Sequence, residues 1–278
     1  MNYIYKDAPL GFPLPILRLL PGQDKGLAVN GQQHNSGGAS TLPAVAKSRP
    51  LEPRGTEVCL PLLGRKWVLA RPASLEELWE AMTPEAFGED ERLPYWAEVW
   101  PSSLVLGSWL AEVKSDIAGR ICLDVGCGLG LTALIGAWLG GKVLAFDYEA
   151  AAVRATLNNT RRNEVNGVAG VAADWRAPAF KAGGIARAWA GDIMYERRFV
   201  RPVAAFLEHC LAPGGVFWLA EPCRPVYREF LSILRESGWS VCLAHEAKAG
   251  FVDDEGRSLP GVPLSTVQIW ELRKESGR

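Results

Sequence analysis

The stretch LDVGCGLGLT, residues 123–132, decides the fold of this 278-residue chain. An apolar run ends in it, and Gly126, Gly128 and Gly130 then alternate with other residues before a helical pattern begins. Small residues between a strand and a helix let the backbone approach a ligand and leave the amides of the helix N-terminus free. The stretch therefore predicts a ligand-binding loop at the carboxyl end of a parallel strand.

The chain around this loop follows an alternating pattern. After Gly119, short apolar runs alternate with helical stretches, which is typical of βαβ units and a parallel sheet. The pattern predicts seven strands, at residues 121–125, 143–147, 168–173, 186–190, 216–220, 240–244 and 266–272. The loop between the last two has no helical period, which predicts an antiparallel pair. The predicted fold is α/β, a Rossmann-like doubly wound seven-stranded sheet that ends in this pair.

Two segments precede the sheet domain, which we place at residues 95–278. Residues 1–50 combine Pro, Gly, Ser, Asn and Gln without a sustained period, which predicts a disordered leader. A targeting peptide or a misassigned start codon is left open for this segment. Residues 51–94 predict a small α+β cap, in which two β-rich runs precede a helix opened by a Ser74–Glu77 capping box.

Composition excludes several classes of partner. The 30 Lys and Arg residues balance 31 Asp and Glu, and this near-neutral charge predicts no nucleic-acid partner. The longest apolar run, residues 131–141, is short of the ~20 residues that cross a bilayer, so we predict no membrane partner. Six scattered cysteines without C-x-x-C predict reduced thiols and a cytoplasmic location. The three histidines lie far apart, so we predict no metal site.

An acidic residue complements the glycine loop. Asp147 lies 21 residues after Gly126 at the end of the next predicted strand, where a carboxylate can bind both hydroxyls of a ribose. Together the loop and the acid predict a nucleoside site. A nicotinamide dinucleotide is the obvious rival, but its G-x-G-x-x-G motif requires glycine where this chain has Leu131.

The observed spacing, an acid followed by G-x-G-x-G, resembles motif I of the class I, seven-β-strand S-adenosylmethionine-dependent methyltransferases. The resemblance covers about residues 95–272 and implies S-adenosyl-L-methionine as the cofactor. It implies that the glycines contact the methionine part, that Asp147 holds the ribose and that Asp174 contacts adenine; a turn or helix N-cap is the alternative for Asp174. The cofactor-binding residues implied in this way are Trp100, Asp124, Gly126, Gly128, Gly130, Asp147, Asp174 and Trp175.

The segment after the fourth predicted strand reduces the number of candidate methyl acceptors. It reads GDIMYE at residues 191–196 and lacks the Pro-Pro of enzymes that methylate base nitrogens or glutamine amides. Its Asp192-x-x-Tyr195 pattern resembles methyltransferase family 16, which is rich in protein lysine methyltransferases. Two further motifs resemble the branch with the electron-transfer flavoprotein β-subunit lysine methyltransferase and nicotinamide N-methyltransferase-like proteins. These are the W-x-x-x-W-P of residues 96–101 and AEPCRP at 220–225, where Glu221 and Cys223 depart from G-D-P-G-R-P.

The resemblance implies an N-methyltransferase in which Asp192 and Tyr195 are the catalytic residues. An exposed lysine, at a pKa of ~10.4, needs about 4 kcal/mol to lose its proton at pH 7, and a site that desolvates the amine lowers this cost. Asp192 and Tyr195 would orient the amine, and Trp100 would line the cofactor or simply pack in the core. Protein lysine is the expected acceptor. The alternatives are a small heteroaromatic amine such as a pyridine, or a non-catalytic cofactor-binding interaction module.

Overall fold

The computed structural model describes residues 3–4, 56–71, 75–81 and 93–275. The strands in these ranges are β1 (Tyr3–Ile4), β2 (Glu57–Leu62), β3 (Arg65–Ala70), β4 (Ile121–Val125), β5 (Lys142–Asp147), β6 (Val168–Ala172), β7 (Ile185–Gly191), β8 (Leu211–Glu221), β9 (Trp239–Ala249) and β10 (Ser265–Lys274). The α-helices are α1 (Leu75–Glu80), α2 (Pro101–Glu112), α3 (Lys114–Ile117), α4 (Leu131–Trp138), α5 (Ala150–Arg162), α6 (Val200–Cys210) and α7 (Pro225–Glu236). Short 3₁₀ turns cover Tyr95–Ala97 and Arg197–Phe199.

The main sheet has eight strands in the order β1-β6-β5-β4-β7-β8-β10-β9. Strands β4 to β8 run parallel to their neighbours among themselves, whereas β10 lies antiparallel between β8 and β9. This confirms the predicted Rossmann-like doubly wound sheet and its antiparallel C-terminal strand pair. The strand order reverses at β4, whose neighbours are β5 and β7, so a crevice opens at the carboxyl ends of these strands.

One strand of this sheet lies where the sequence predicts none. Tyr3–Ile4 pairs antiparallel with β6 and adds an eighth strand at the edge. These are the only residues that the structure describes within 1–50, the segment predicted as a disordered leader. The other residues of that segment lie outside the described ranges, and two residues have no periodicity that a sequence could reveal.

Two apolar clusters pack against the sheet. Successive residues of β5 alternate between them: Val143 and Ala145 join the cluster that contains α2 and α4, whereas Leu144 and Phe146 join the cluster that contains α6 and α7. Because side chains alternate across a strand, the two clusters lie on opposite faces of the sheet. No helix in the described ranges has both the length and the apolar composition of a membrane span.

The predicted cap contains the β2–β3 hairpin and α1. Leu63 and Gly64 both have positive φ, 55° and 71°, which is the type I′ turn that suits a two-residue hairpin. Ser74, the predicted capping residue of α1, lies outside the described residues. The division of the chain at residues 50 and 94 stays a prediction.

Two asparagines one turn apart on α5 hold the hairpin. The Asn163 side chain pairs with both backbone groups of Val68, at 2.9 and 2.7 Å. The Asn159 amide oxygen accepts the Ala70 N–H at 2.8 Å, and its nitrogen donates to the Leu129 carbonyl at 2.9 Å. The two amides therefore pair with β3 as a neighbouring strand would, and they connect the hairpin to the glycine loop.

Candidate active site

A cleft opens at the carboxyl ends of β4, β5 and β7, where the fold places ligands. Nine of the ten residues predicted for the site line it: Trp100, Gly126, Gly128, Gly130, Asp147, Asp174, Trp175, Asp192 and Tyr195. They come from segments up to 95 residues apart in the chain. The tenth, Asp124, lies beneath the cleft.

The glycine loop adopts a backbone that side chains would obstruct. Gly126, Gly128 and Gly130 all have positive φ, between 52° and 90°. A Cβ on Gly128 would lie 3.1 Å from the Trp96 carbonyl oxygen, and one on Gly130 would lie 2.6 Å from a Thr156 methyl carbon. Glycine is therefore required for both the conformation and the close packing, which leaves the loop backbone exposed to the cleft.

Asp147 fixes this loop from the neighbouring strand. Its carboxylate accepts the Gly128 amide at 3.0 Å and the Glu149 amide at 2.9 Å. Burial raises the pKa of Asp147 to about 6, although these two hydrogen bonds lower it. Each carboxylate oxygen has two acceptor positions, so the side chain can still accept hydrogen bonds from a ligand.

Asp124 is the predicted site residue that does not line the cleft. The resemblance implies a contact with the cofactor, but this side chain is 1% exposed and accepts the Thr132 hydroxyl at 2.8 Å. Burial raises its pKa to about 7. The carboxylate joins the end of β4 to the first turn of α4, so it supports the glycine loop from below.

Asp174 and Trp175 reach the cleft from the segment after β6. Asp174 accepts the Arg176 backbone amide at 2.7 Å and its side chain at 2.7 Å, which is an Asx turn closed by an ion pair. The alternative role foreseen for Asp174, a turn, is thus present. Its place in the cleft also leaves an adenine contact open to it, as the resemblance implies.

Asp192 lies at the end of β7 with φ at 57°, a conformation that is uncommon without glycine. Its amide donates to the Ala220 carbonyl at 2.9 Å. Its buried carboxylate accepts hydrogen bonds from both terminal nitrogens of Arg224, one of them at 3.1 Å. Burial raises the pKa of Asp192, and the Arg224 guanidinium opposes that rise. The sequence gives no indication of this ion pair, because its partners are 32 residues apart.

Five aromatic rings of the cleft lining follow one another in a row, which Phe251, outside that lining, extends. Neighbouring centroids are 5.1–5.7 Å apart with interplanar angles of 66–80°, an edge-to-face arrangement. In spatial order the rings are Trp175, Phe199, Tyr195, Tyr95, Trp100 and Phe251. Sequence analysis missed Tyr95 and Phe199 as residues of the cleft, although Tyr95 directly precedes the W-x-x-x-W-P motif.

Comparison with known proteins covers the part of the chain that forms one side of the cleft, with the glycine loop, Asp147 and Asp174. The family model of ribosomal protein L11 methyltransferase (PrmA) matches residues 108–186. That range contains the glycine loop, Asp147 and Asp174, and it ends before Asp192. It spans less than half of the chain.

Curated relatives carry two names. The electron transfer flavoprotein beta subunit lysine methyltransferase of Xenopus laevis is 39% identical over 74 residues, which are 26% of this chain and 30% of that protein. Its Rattus norvegicus counterpart is 26% identical over 181 residues, 64% of this chain and 67% of that protein. The ribosomal protein L11 methyltransferase of Sorangium cellulosum is 28% identical over 148 residues, 51% and 44% of the two chains. The chain thus spans less than a third of the Xenopus relative.

Among solved structures, a proposed RNA methyltransferase of Pyrococcus horikoshii has a TM-score of 0.51 and 17% identity. The alignment covers 72% of this chain and 96% of that chain. This likeness shows the fold, an α/β Rossmann-like sheet. In the described part of the chain, no three His, Cys, Asp or Glu side chains come together as ligands of a metal ion.

Proposed function

We propose that this protein is an S-adenosylmethionine-dependent N-methyltransferase that methylates lysine side chains of a protein substrate. The observation that carries the proposal is that the glycine loop with Asp147 and the Asp192–Tyr195 segment meet in one cleft. The names of the relatives, lysine methyltransferase and ribosomal protein methyltransferase, support a protein acceptor.

The residues of the cofactor half fit S-adenosyl-L-methionine. The glycine loop offers exposed backbone at the N-terminus of α4, and Asp147 keeps acceptor positions for two ribose hydroxyls. The cofactor supplies a methyl group on a sulfonium, and the chain contributes alignment and exclusion of water. Trp100 and Tyr95 also line the cleft, and in this proposal their rings keep water away from the reacting atoms.

Asp192 and Tyr195 orient the acceptor in this proposal. Arg224 uses one acceptor position on each Asp192 oxygen and leaves the others for an amine. Because burial raises the pKa of Asp192, this carboxylate is a better proton acceptor than an exposed aspartate. Tyr195 is 38% exposed, so the acceptor end of the cleft is accessible to a side chain presented by another protein.

A small heteroaromatic amine is the second candidate acceptor. The aromatic rings along the cleft favour it, because a planar ring could stack among Tyr95, Tyr195 and Phe199. A non-catalytic cofactor-binding module is the third reading. The absence of nucleic-acid and membrane partners, and the cytoplasmic location, stay predictions from composition.

The decisive experiment incubates the purified protein with radiolabelled S-adenosylmethionine and a lysate that lacks the enzyme. Label in a discrete protein band, mapped by mass spectrometry to lysine and missing with Asp192→Asn, supports the proposal. Label only in the small-molecule fraction moves the acceptor to a metabolite. Cofactor binding without any transfer supports the non-catalytic module.

A further inference from the structure

The segment that carries Asp192 and Tyr195 has a costly backbone. Asp192 and Cys223 have φ of 57° and 62°, and neither is glycine. They follow the adjacent parallel strands β7 and β8, and the last pair between these two strands is Gly191 with Ala220. Non-glycine residues persist in this region only where their surroundings hold them there, and two contacts hold the segment after β7.

Glu221 is the first of these contacts. It is 0% exposed, and its Oε1 accepts the backbone amide of Met194 at 3.0 Å. Its Oε2 has no hydrogen-bond partner within the described part of the chain. A buried carboxylate with an open oxygen is expensive, and the backbone that hydrogen-bonds to Glu221 belongs to the segment between Asp192 and Tyr195.

Arg224 is the second contact. Its two terminal nitrogens hold both oxygens of the Asp192 carboxylate, a bidentate geometry that fixes orientation as well as distance. The side chain of Arg224 is 34% exposed, whereas that of Asp192 is 5% exposed. The segment is therefore held at its start by Arg224 and at Met194 by Glu221.

We propose that Glu221 and Arg224 are positioning residues, which hold the Asp192–Tyr195 segment in the conformation that receives the acceptor. The kinetic consequences of this positioning role rest on the proposed methyltransferase function, whereas its structural consequences do not. Neither residue lines the cleft, so both act through the segment that they hold.

Three variants and one control variant separate this role from general destabilisation. Glu221→Ala removes the acceptor of the Met194 amide, whereas Glu221→Gln keeps an acceptor oxygen. Arg224→Met removes the bidentate pair and keeps the aliphatic stem. Arg197→Met is the matched control, because its ion pair with Glu229 is on the surface and Arg197 is 80% exposed.

The first measurement is hydrogen exchange of residues 191–196, which needs no substrate. Glu221→Ala is expected to speed exchange of the Met194 amide by at least about tenfold, and Glu221→Gln to restore its protection. Equal exchange in Glu221→Ala and wild type overturns the role of Glu221, whether or not the protein methylates anything. If Glu221→Ala does not fold, Arg224→Met carries the test, through faster exchange of the Asp192 amide.

The second measurement is steady-state kinetics on the acceptor found with the lysate. Arg224→Met is expected to lower kcat by about 100-fold, as misplaced catalytic groups do, with the cofactor Kd within about twofold of wild type. Arg197→Met is expected to match wild type. Unchanged kcat in Arg224→Met, or a parallel loss of cofactor affinity, overturns the role of Arg224. A wild-type protein without turnover contradicts the proposed function and leaves the exchange result to decide the positioning role.

Discussion

The cleft has two halves that are built by different means: the proposed cofactor half, which is the glycine loop with Asp147, and the proposed acceptor half, which is the Asp192–Tyr195 segment. In the cofactor half, backbone conformation dominates: three glycines with positive φ form the loop, and Asp147 ties two backbone amides. In the acceptor half, side chains dominate, because Asp192 is placed by an ion pair to Arg224 and Met194 by a buried carboxylate.

This difference explains how far each half can be recognised. The matching family model ends at residue 186, after the cofactor half and before Asp192. A backbone site depends on local glycine spacing, which is preserved in short motifs, whereas a side-chain site depends on pairs from distant segments. Loss of the Arg224 or Glu221 side chain should therefore impair the acceptor half alone, and a side chain added at Gly130 should impair the cofactor half alone.

The largest expected effect is that of Asp192→Asn. The substitution removes the charge of the proposed proton acceptor and weakens the pair with Arg224, so turnover should fall by about 10²–10⁴-fold. The cofactor Kd, measured by calorimetry, should stay within about twofold, since Asp147 and the glycine loop are untouched. Unchanged turnover would remove Asp192 from the mechanism, and lost cofactor binding would erase the distinction between the halves.

Gly130→Ala tests the cofactor half, in which backbone conformation dominates. At φ of 90° its new methyl group would lie within 3 Å of three Thr156 atoms, so the free energy of unfolding should fall by about 2–5 kcal/mol. Gly238→Ala is the matched control: its φ is 83°, and a Cβ there meets nothing within 4 Å. It should lose only about 1–2 kcal/mol from strain. Equal losses in urea unfolding would show that the close packing of Gly130 contributes nothing.

Glu221→Gln tests the buried carboxylate of the acceptor half through the pH dependence of the free energy of unfolding. Burial raises the pKa of Glu221 to about 8 from an ordinary 4.5, so the folded protein binds a proton that the unfolded chain releases between these pH values. Wild-type stability from this group is present at low pH and is lost as pH rises to about 8. The variant should gain a few kcal/mol relative to wild type between pH 5 and 9 in urea unfolding. A pH-independent difference would contradict the raised pKa.

The smallest expected effect is that of Tyr195→Phe. The ring contacts with Tyr95 and Phe199 remain, and only the hydroxyl is lost. Turnover should fall about fivefold, the value of one hydrogen bond, with the cofactor Kd unchanged. Tyr195→Ala should cost more because the ring is lost as well. If both variants match wild type in an acceptor titration, Tyr195 has no part in orienting the amine.

Much of the fold was predictable because it depends on local patterns. The first strand of the parallel sheet begins and ends at the predicted residues, 121–125, where the apolar run is bounded by Arg120 and the glycine loop. Strand β9 continues five residues past its predicted end to Ala249, because pairing with β10 sustains an exposed strand that its own apolar content does not define. Such pairing is a tertiary effect that overrides propensity.

The residues of the site were predictable where they follow from local spacing, and their contacts with distant segments were not. The glycines and Asp147 follow from spacing along one βαβ unit, and the structure brings them into the cleft. The orientation of the Asp124 side chain was not predictable from the motif, because its carboxylate accepts a hydrogen bond from the Thr132 hydroxyl, eight residues away. The pairing of Asp192 with Arg224 and the contact of Tyr95 with Tyr195 join distant segments, so no local pattern encodes them.

The asparagine pair on α5 has a consequence for local unfolding. Because Asn159 bonds both to β3 and to the Leu129 carbonyl, we expect the hairpin, the helix and the glycine loop to open as one cooperative unit. Exchange of the Val68 and Ala70 amides should therefore report the stability of the cofactor loop rather than that of the isolated hairpin. A ligand that tightens the loop would slow exchange in the hairpin, so the cap would register occupancy of the cleft, which Leu69 of β3 itself lines.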